Sequence, residues 1–246
     1  MITLLKAEQL KLRRSKHLST ILGCLAVFAG FHLLNIIRGR HETPGMYGVY
    51  VTTNMDFTFL FCFAAFAGFF AATEFQNCTI RNAISLGKSR LSIYLSKLIA
   101  VCAGAAAMLG LYWVIITIGC TAAFGFGTES FGSYMVLLVK TVPIQLLLFF
   151  ALSSLFTMLA YITRSPIMTA LLGAGYMFCS VLAPAMLSIL FDGRYSFIVQ
   201  FMPEYYIKGI EGADVWFILR GAGVGLAWAA ITTFIGYMCF KINDVK

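Results

Sequence analysis

Long apolar stretches alternate with short polar segments along the whole chain. Six of these stretches are about 20 residues long, enough for each to cross a hydrocarbon core of roughly 30 Å as a helix. They are Leu18–Ile37, Phe57–Thr73, Leu98–Phe124, Thr141–Thr163, Ile167–Leu190 and Phe217–Phe240. Backbone polar groups in lipid must be paired within their own segment. The pattern therefore predicts an all-α integral membrane protein with six transmembrane helices.

The polar segments at the two ends of this pattern differ in character. Residues 1–17 carry five bases and one acid, which predicts an amphipathic helix at a membrane surface; a simple positively charged anchor is the alternative. Residues 191–216 are rich in aromatic side chains, which favour the lipid–water boundary and predict short outer-leaflet helices broken near Pro203. We therefore divide the chain into an N-terminal interface helix, 1–17, and a six-helix transmembrane domain, 18–246.

Basic residues are distributed unevenly between the two sides of the predicted bundle. If both termini lie in the cytoplasm, 12 of the 18 lysines and arginines fall on the inner side, as the positive-inside rule requires. The net charge of +8 is then a signature of topology and of contact with membrane lipid. Binding of nucleic acid is a poor interpretation, because the sequence predicts no folded basic face.

Signatures of catalysis, metal binding and ion coupling are missing from the sequence. The seven cysteines contain no C-x-x-C pair and suit apolar packing. No acidic residue falls in the middle of a predicted span, where ion-coupled carriers usually hold one. The letters Gly87-Lys88-Ser89 lack the glycine that a Walker A loop has five residues earlier, where Asn82 stands. We therefore expect no enzyme, and no metal or other cofactor on this chain; the substrate site is unknown.

One polar island, residues 73–90, separates the second and third predicted spans. Asn77 suits an N-cap and Gly87 suits the position after a helix C-terminus, so a short helix is predicted over about 77–87. Ser89 is predicted to cap the helix that follows. Apolar side chains fall on one face of the short helix, at Ile80, Ala83 and Ile84. Such a face lies on a membrane or in a groove of another protein, unless the segment is only a basic loop that happens to be helical.

Small residues recur at helical spacing inside the spans. Ala64, Gly68 and Ala72 are spaced by four, as are Gly221 and Gly225. Such faces let helix backbones approach closely. They predict packing inside one bundle, with a dimer face as the alternative.

The polar island resembles the connection between the second and third spans of ABC type-2 permeases. The shared pattern is carried by Glu74, Phe75, Thr79, Ile80, Arg81, Gly87, Ser89, Arg90 and Lys97, while Cys78 stands where the family usually has glycine. The start "LLKAEQLKLRRSK" resembles the N-terminal interface helix of the same family, especially in bacitracin- and lantibiotic-immunity permeases. Six spans and cytoplasmic termini agree with this resemblance.

The resemblance implies that the short helix is a coupling helix seated on a separate ATPase subunit. The implied contact residues are Ile80, Arg81, Ala83, Ile84 and Ser85, and the residues that brace the helix through ion pairs are Glu74, Arg90 and Lys97. ATP and magnesium would bind two partner ATPase subunits, and a second permease subunit, identical or homologous, would complete the complex.

The function that the resemblance implies is export of an amphipathic or hydrophobic cargo, such as a peptide antibiotic, across a bacterial cytoplasmic membrane. The alternative is an ATP-independent carrier or a peptide-sensing membrane protein.

Overall fold

The computed structural model describes residues 2–39, 44–48, 57–77, 79–127, 131–191, 196–208 and 214–242. All regular secondary structure in these ranges is helical. The α-helices are α1 Ile2–Arg14, α2 Lys16–Arg38, α3 Phe57–Ala67, α4 Thr73–Gln76, α5 Thr79–Ser85, α6 Arg90–Phe124, α7 Phe131–Thr163, α8 Pro166–Phe191, α9 Pro203–Lys208 and α10 Val215–Ile242. A π-helical turn, Gly68–Ala72, joins α3 to α4, and short 3-10 segments lie at Gly45–Tyr47 and Ser196–Phe201.

Among the described residues, four helices are long and apolar enough to cross a membrane. They are Lys16–Arg38, Arg90–Phe124, Gly132–Thr163 and Val215–Ile242, which contain the first, third, fourth and sixth predicted spans. The second predicted span corresponds to a shorter apolar helical stretch, Phe61–Gln76, which runs from α3 to α4. The fifth corresponds to Pro166–Ser180, the first part of α8. That these two segments cross the membrane stays a prediction. Helices α6 and α7 begin well before their predicted spans, because a lysine ends an apolar run without ending a helix.

Small residues hold the helices together inside this one chain. A Cβ atom added at Gly68 would lie 3.0 Å from the Pro166 carbonyl oxygen, and one added at Gly225 would lie 3.3 Å from Leu148. The close approaches join the π-helical turn to α8, and α7 to α10. Further along α7 and α10, the hydroxyls of Ser154 and Thr232 are 2.6 Å apart. Both small-residue faces therefore serve packing within the bundle, which is the first of the two predicted uses.

Two short helices precede α10, as the aromatic segment predicts. The 3-10 segment ends at Phe201 and α9 begins at Pro203, a residue that suits the first position of a helix because it has no N–H to leave unpaired. The indole N–H of Trp228 donates a hydrogen bond to the Phe201 carbonyl at 2.7 Å. The ring of Tyr206 packs against the backbone of α10 at Gly221, where an added Cβ would be 2.9 Å from the ring.

Candidate functional site

The short helix predicted over 77–87 is present as α5, Thr79–Ser85, and is shorter than predicted. It ends in a Schellman motif. Gly87 has a φ of +75°, its N–H binds the Ile84 carbonyl at 2.9 Å, and the Lys88 N–H binds the Ala83 carbonyl at 3.3 Å. Asn77 lies at the end of α4 instead of starting α5, because its own N–H is taken by the Thr73 carbonyl at 3.0 Å.

The segment after α5 carries the next helix cap. Ser89 has extended backbone angles, and its hydroxyl accepts a hydrogen bond from the Ser92 N–H at 3.3 Å. This confirms Ser89 as the N-cap of α6. Gly87, Lys88 and Ser89 therefore join the end of α5 to the start of α6, and the Ser89 hydroxyl is used as the cap of α6.

Helix α5 has an inward side and an outward side. Ile80 is 1% exposed and packs in a cluster whose other buried members are Ile93, Tyr94, Leu98, Tyr161 and Phe240, with Ala83 and Ile84 half-buried against it. Arg81 and Ser85 are exposed, and Leu86, just after the helix, is 78% exposed. The five residues predicted to contact an ATPase thus divide into an anchored apolar set and a free polar set.

The centre of this inner cluster is aromatic. The ring of Tyr161 lies with its centroid 4.8 Å from Tyr94, 5.0 Å from Phe75 and 5.0 Å from Phe240, each in an edge-to-face arrangement. Such pairs contribute about 0.5–1.5 kcal/mol each beyond their buried area. They join α4, α6, α7 and α10 beneath α5, so the apolar side of α5 rests on a surface built from four helices.

Four charged side chains form a compact network next to this cluster. Lys11 Nζ lies 2.8 Å from Glu8 Oε1 and 2.7 Å from Glu74 Oε1. Lys97 Nζ lies 2.8 Å from Glu74 Oε1 and also contacts Glu8 Oε2. The network ties together α1, α4 and α6. Glu74 and Lys97, two of the residues predicted to brace the coupling helix, are thus in direct contact.

The members of this network are buried to different degrees. The side chains of Lys97 and Glu8 are 1% and 6% exposed, while that of Lys11 is 47% exposed. Charges removed from water in this way are tolerated only when they are paired. Burial lowers the pKa of Lys11, but the hydrogen bonds with Glu74 and Glu8 outweigh burial and the pKa is raised above its ordinary value. The charges of the two carboxylates, Glu8 and Glu74, are therefore matched by those of the two lysines.

The π-helical turn Gly68–Ala72 stands directly before this network. The Lys97 ammonium lies 4.5 Å from the centroid of the Phe70 ring, within the range of a cation–π interaction. Thr73 donates a hydrogen bond to the Phe69 carbonyl at 2.5 Å. The turn thus supplies both an aromatic wall for Lys97 and the start of the helix that carries Glu74.

Arg90 makes contacts that were not predicted. Its guanidinium donates hydrogen bonds to the carbonyls of Phe240 at 2.9 Å and Lys241 at 2.7 Å. These carbonyls belong to the last turn of α10, where helices leave acceptors unpaired and attract cations. Arg90 therefore ties the start of α6 to the end of α10.

Sequence reasoning missed Glu8 and Lys11 as members of the site. Both were counted only as charges of the N-terminal segment. A signal was available, because Glu8 is the single acid among the first 17 residues and falls one helical turn before Leu12, which is also buried. An acid on the apolar face of a helix needs a cationic partner, and Lys97 provides one from 89 residues away.

These features define a helical membrane protein in which the four ion pairs found among the described residues lie at one end of the bundle, close to a short cross-helix with one exposed side. The sequence model described as "ABC-2 family transporter protein" matches residues 4–180, a range that contains most of α1, all of α5 and the whole charge network. The match covers more than half of the chain, and the chain belongs to the ABC-2 family of transporter proteins. No curated protein matches it.

Membership of this family fixes the general role of the chain. It is a multi-pass membrane protein and the membrane permease component of an ABC-2 transporter, without an ATPase site of its own. ABC-2 permeases function with ATPase subunits in transporter complexes.

Proposed function

We propose that this chain is the permease subunit of an ATP-driven exporter and that the ATPase subunit binds at the outward side of α5. The observation that carries the proposal is the two-sided burial of α5. One side is fixed in the protein by Ile80, while Arg81, Ser85 and Leu86 stand free. A short helix anchored from within and exposed outside suits docking into a groove of a partner.

Leu86 is the apolar contact that we assign to this docking surface. Leu86 is 78% exposed and Arg81 of the same short segment is also exposed, so a partner could bury the leucine and contact the arginine at the rim of the interface. Among the residues predicted from sequence, Arg81 and Ser85 lie in the same surface. Ala83 and Ile84 lie at its edge, and Ile80 supports the surface from inside.

The surroundings of α5 give a route for motion into the bundle. The chain enters α5 from α4, which carries Glu74, and leaves it into α6, which carries Lys97. The ion pair between these residues closes a loop around α5, and the Tyr161 cluster fills its inner side. Packed groups of this kind move as units, so a displacement of α5 would shift α6 and α10 together.

The finer assignments rest on the resemblance of the N-terminal segment and the polar island to immunity permeases. We infer a complex of two ATPase subunits, which bind ATP and magnesium, with a second permease subunit, identical or homologous. The α5 end would face the cytoplasm of a bacterial cell, with both termini inside. The cargo would be an amphipathic or hydrophobic molecule, such as a peptide antibiotic, in an immunity or resistance role.

Co-purification with the cognate ATPase subunit tests the docking surface. The permease is expressed with a tagged ATPase, and the amount of permease that co-elutes is measured for Arg81→Glu and Leu86→Asp. Each variant should lower co-elution at least tenfold, which corresponds to about 1.4 kcal/mol of binding free energy. The matched control is Lys241→Glu, which reverses an exposed base at the same end of the bundle. Retention of the ATPase by both α5 variants at the level of the control would place the docking surface elsewhere.

A further inference from the structure

An open apolar groove lies between the first turns of α10 and the first half of α7, at the end of the bundle opposite α5. Its volume is about 720 Å³, within the range of roughly 300–1,000 Å³ found for small-molecule sites. Eleven side chains line it, and Lys140 is the only polar one. The lining is exposed, with Val136 at 66% and Val139 at 71%.

The groove lies between the parts of α7 and α10 that precede their close contact at Leu148 and Gly225. Gly225 admits Leu148 to the surface of α10, and the hydroxyls of Ser154 and Thr232 meet further along. The residues of α7 that line the groove lie before Leu148, towards the start of that helix. Pro143 lies inside α7 at this level and lines the groove; proline cannot donate to the carbonyl four residues earlier and bends helices.

The depth of Lys140 matches the level of lipid headgroups. From Arg164, at the α5 end of α7, to Lys140 the helix rises about 36 Å at 1.5 Å per residue. The hydrocarbon core is about 30 Å thick and the headgroup layers bring the bilayer to about 40–45 Å. With Arg164 placed at the edge of the hydrocarbon core on the α5 side, Lys140 falls at the headgroup level of the opposite leaflet. Among the described residues, no acidic side chain forms an ion pair with it.

We propose that this groove is a binding site for one anionic phospholipid of the leaflet opposite α5. One acyl chain lies along Pro143, Leu147 and Ala222, and the phosphate group is held by Lys140. Lys140 lies part-way along the lining, and Pro143, Ile144 and Leu147 follow it towards the bundle centre, so a cation for a headgroup is followed by an apolar surface for an acyl chain. Anionic headgroups are attracted to lysines at the membrane surface. The site is independent of where the ATPase binds.

Lipid binding to the purified full-length permease tests this site. Native mass spectrometry in mild detergent counts bound lipids during titration with phosphatidylglycerol or with phosphatidylcholine of the same chains. The natural sequence should bind one phosphatidylglycerol more tightly than phosphatidylcholine. Lys140→Gln should weaken phosphatidylglycerol binding about fivefold, the contribution of one lysine near the surface, and weaken phosphatidylcholine binding less, because choline offsets the charge of its phosphate. Lys241→Gln, at the other end of α10, is its control.

A second pair of variants tests the apolar half of the site without altering charge. Ala222→Phe fills the groove and should remove the bound lipid of either headgroup. Ala230→Phe makes the same change on the exposed surface of α10 outside the groove and should bind like the natural sequence. The proposal is overturned if Lys140→Gln keeps the full preference for phosphatidylglycerol, or if the two phenylalanine variants bind lipid equally. Loss of permease dimers in Ala222→Phe with unchanged lipid binding would identify the groove as a subunit contact instead, and would also overturn it.

Discussion

Replacement of Lys97 by methionine removes the buried cation that contacts both Glu8 and Glu74. Methionine has a similar length and no charge, so the change deletes the ammonium group with little loss of volume. Lys11 remains 2.8 Å and 2.7 Å from the two carboxylates. The variant then holds two acids and one base where the natural chain holds two of each.

The expected loss of stability follows from the burial of the partner left behind. The Glu8 side chain is 6% exposed, and removal of one member of a buried ion pair costs about 3–5 kcal/mol. The lost cation–π contact with Phe70 is offset by a sulfur–aromatic contact of about 0.3–1.5 kcal/mol. Lys11→Met is the control, because the side chain of Lys11 is 47% exposed and exposed pairs contribute about 0–1 kcal/mol.

The measurement is equilibrium unfolding of the purified permease in mixed micelles with increasing SDS, followed by tryptophan fluorescence. A double variant, Lys97→Met with Glu8→Gln, restores the balance of charge around Glu74 and Lys11. It should recover more than half of the stability lost in Lys97→Met, because replacement of a whole buried pair is often nearly neutral. The difference between the double variant and the sum of the single ones is the coupling energy of the pair.

Two results would refute this reasoning. If Lys97→Met unfolds within about 0.5 kcal/mol of the natural sequence, the network is not buried as described. If the double variant is no more stable than Lys97→Met, the unpaired charge of Glu8 is not the cause of the loss.

Two further comparisons test the packing of the bundle by the same unfolding measurement. Gly236→Ala would place a Cβ against the Tyr94 hydroxyl and 3.0 Å from its ring carbon Cζ, so we expect the free energy of unfolding to fall by about 1–3 kcal/mol. Gly223→Ala is the control, because a Cβ at that position meets open space, and it should be neutral or slightly stabilising. The Tyr161 hydroxyl is buried without a hydrogen-bond partner among the described residues, so Tyr161→Phe should be neutral or more stable by up to about 1–3 kcal/mol. Tyr176→Phe, which loses a hydroxyl that donates to a carboxylate at 3.3 Å, should be less stable; equal effects of the two tyrosine changes would contradict this account.

Local signals in the sequence predicted local structure well. Gly87 and Ser89 marked the end of α5 and the start of α6 because both functions depend on a residue's own backbone and hydroxyl. The break before Pro203 was predicted for the same reason. The start of α5 was placed too early. Asn77 has a side chain that suits the start of a helix, and the sequence does not show that its N–H already closes the last turn of α4.

Long-range contacts were the part that sequence could not supply. Periodicity showed that α5 has an apolar face, but not whether that face turns towards a partner or towards Tyr161 and Phe240 of the same chain. The sequence identified Arg90 as a base, but it did not show that Arg90 donates hydrogen bonds to the carbonyls at the end of α10. The partner of Glu8 lies 89 residues away, and no local pattern specifies such a distance.

The position of Phe240 under α5 has a consequence for biosynthesis. Ile80 emerges from the ribosome early, whereas Phe240 belongs to α10, which follows every other described helix. At about 5–20 residues per second, the two are synthesised on the order of 10 s apart. Until α10 has been inserted, α5 lacks part of the surface on which it rests. On the proposed docking of the ATPase at α5, the complete docking surface would form only after α10 has been synthesised and inserted.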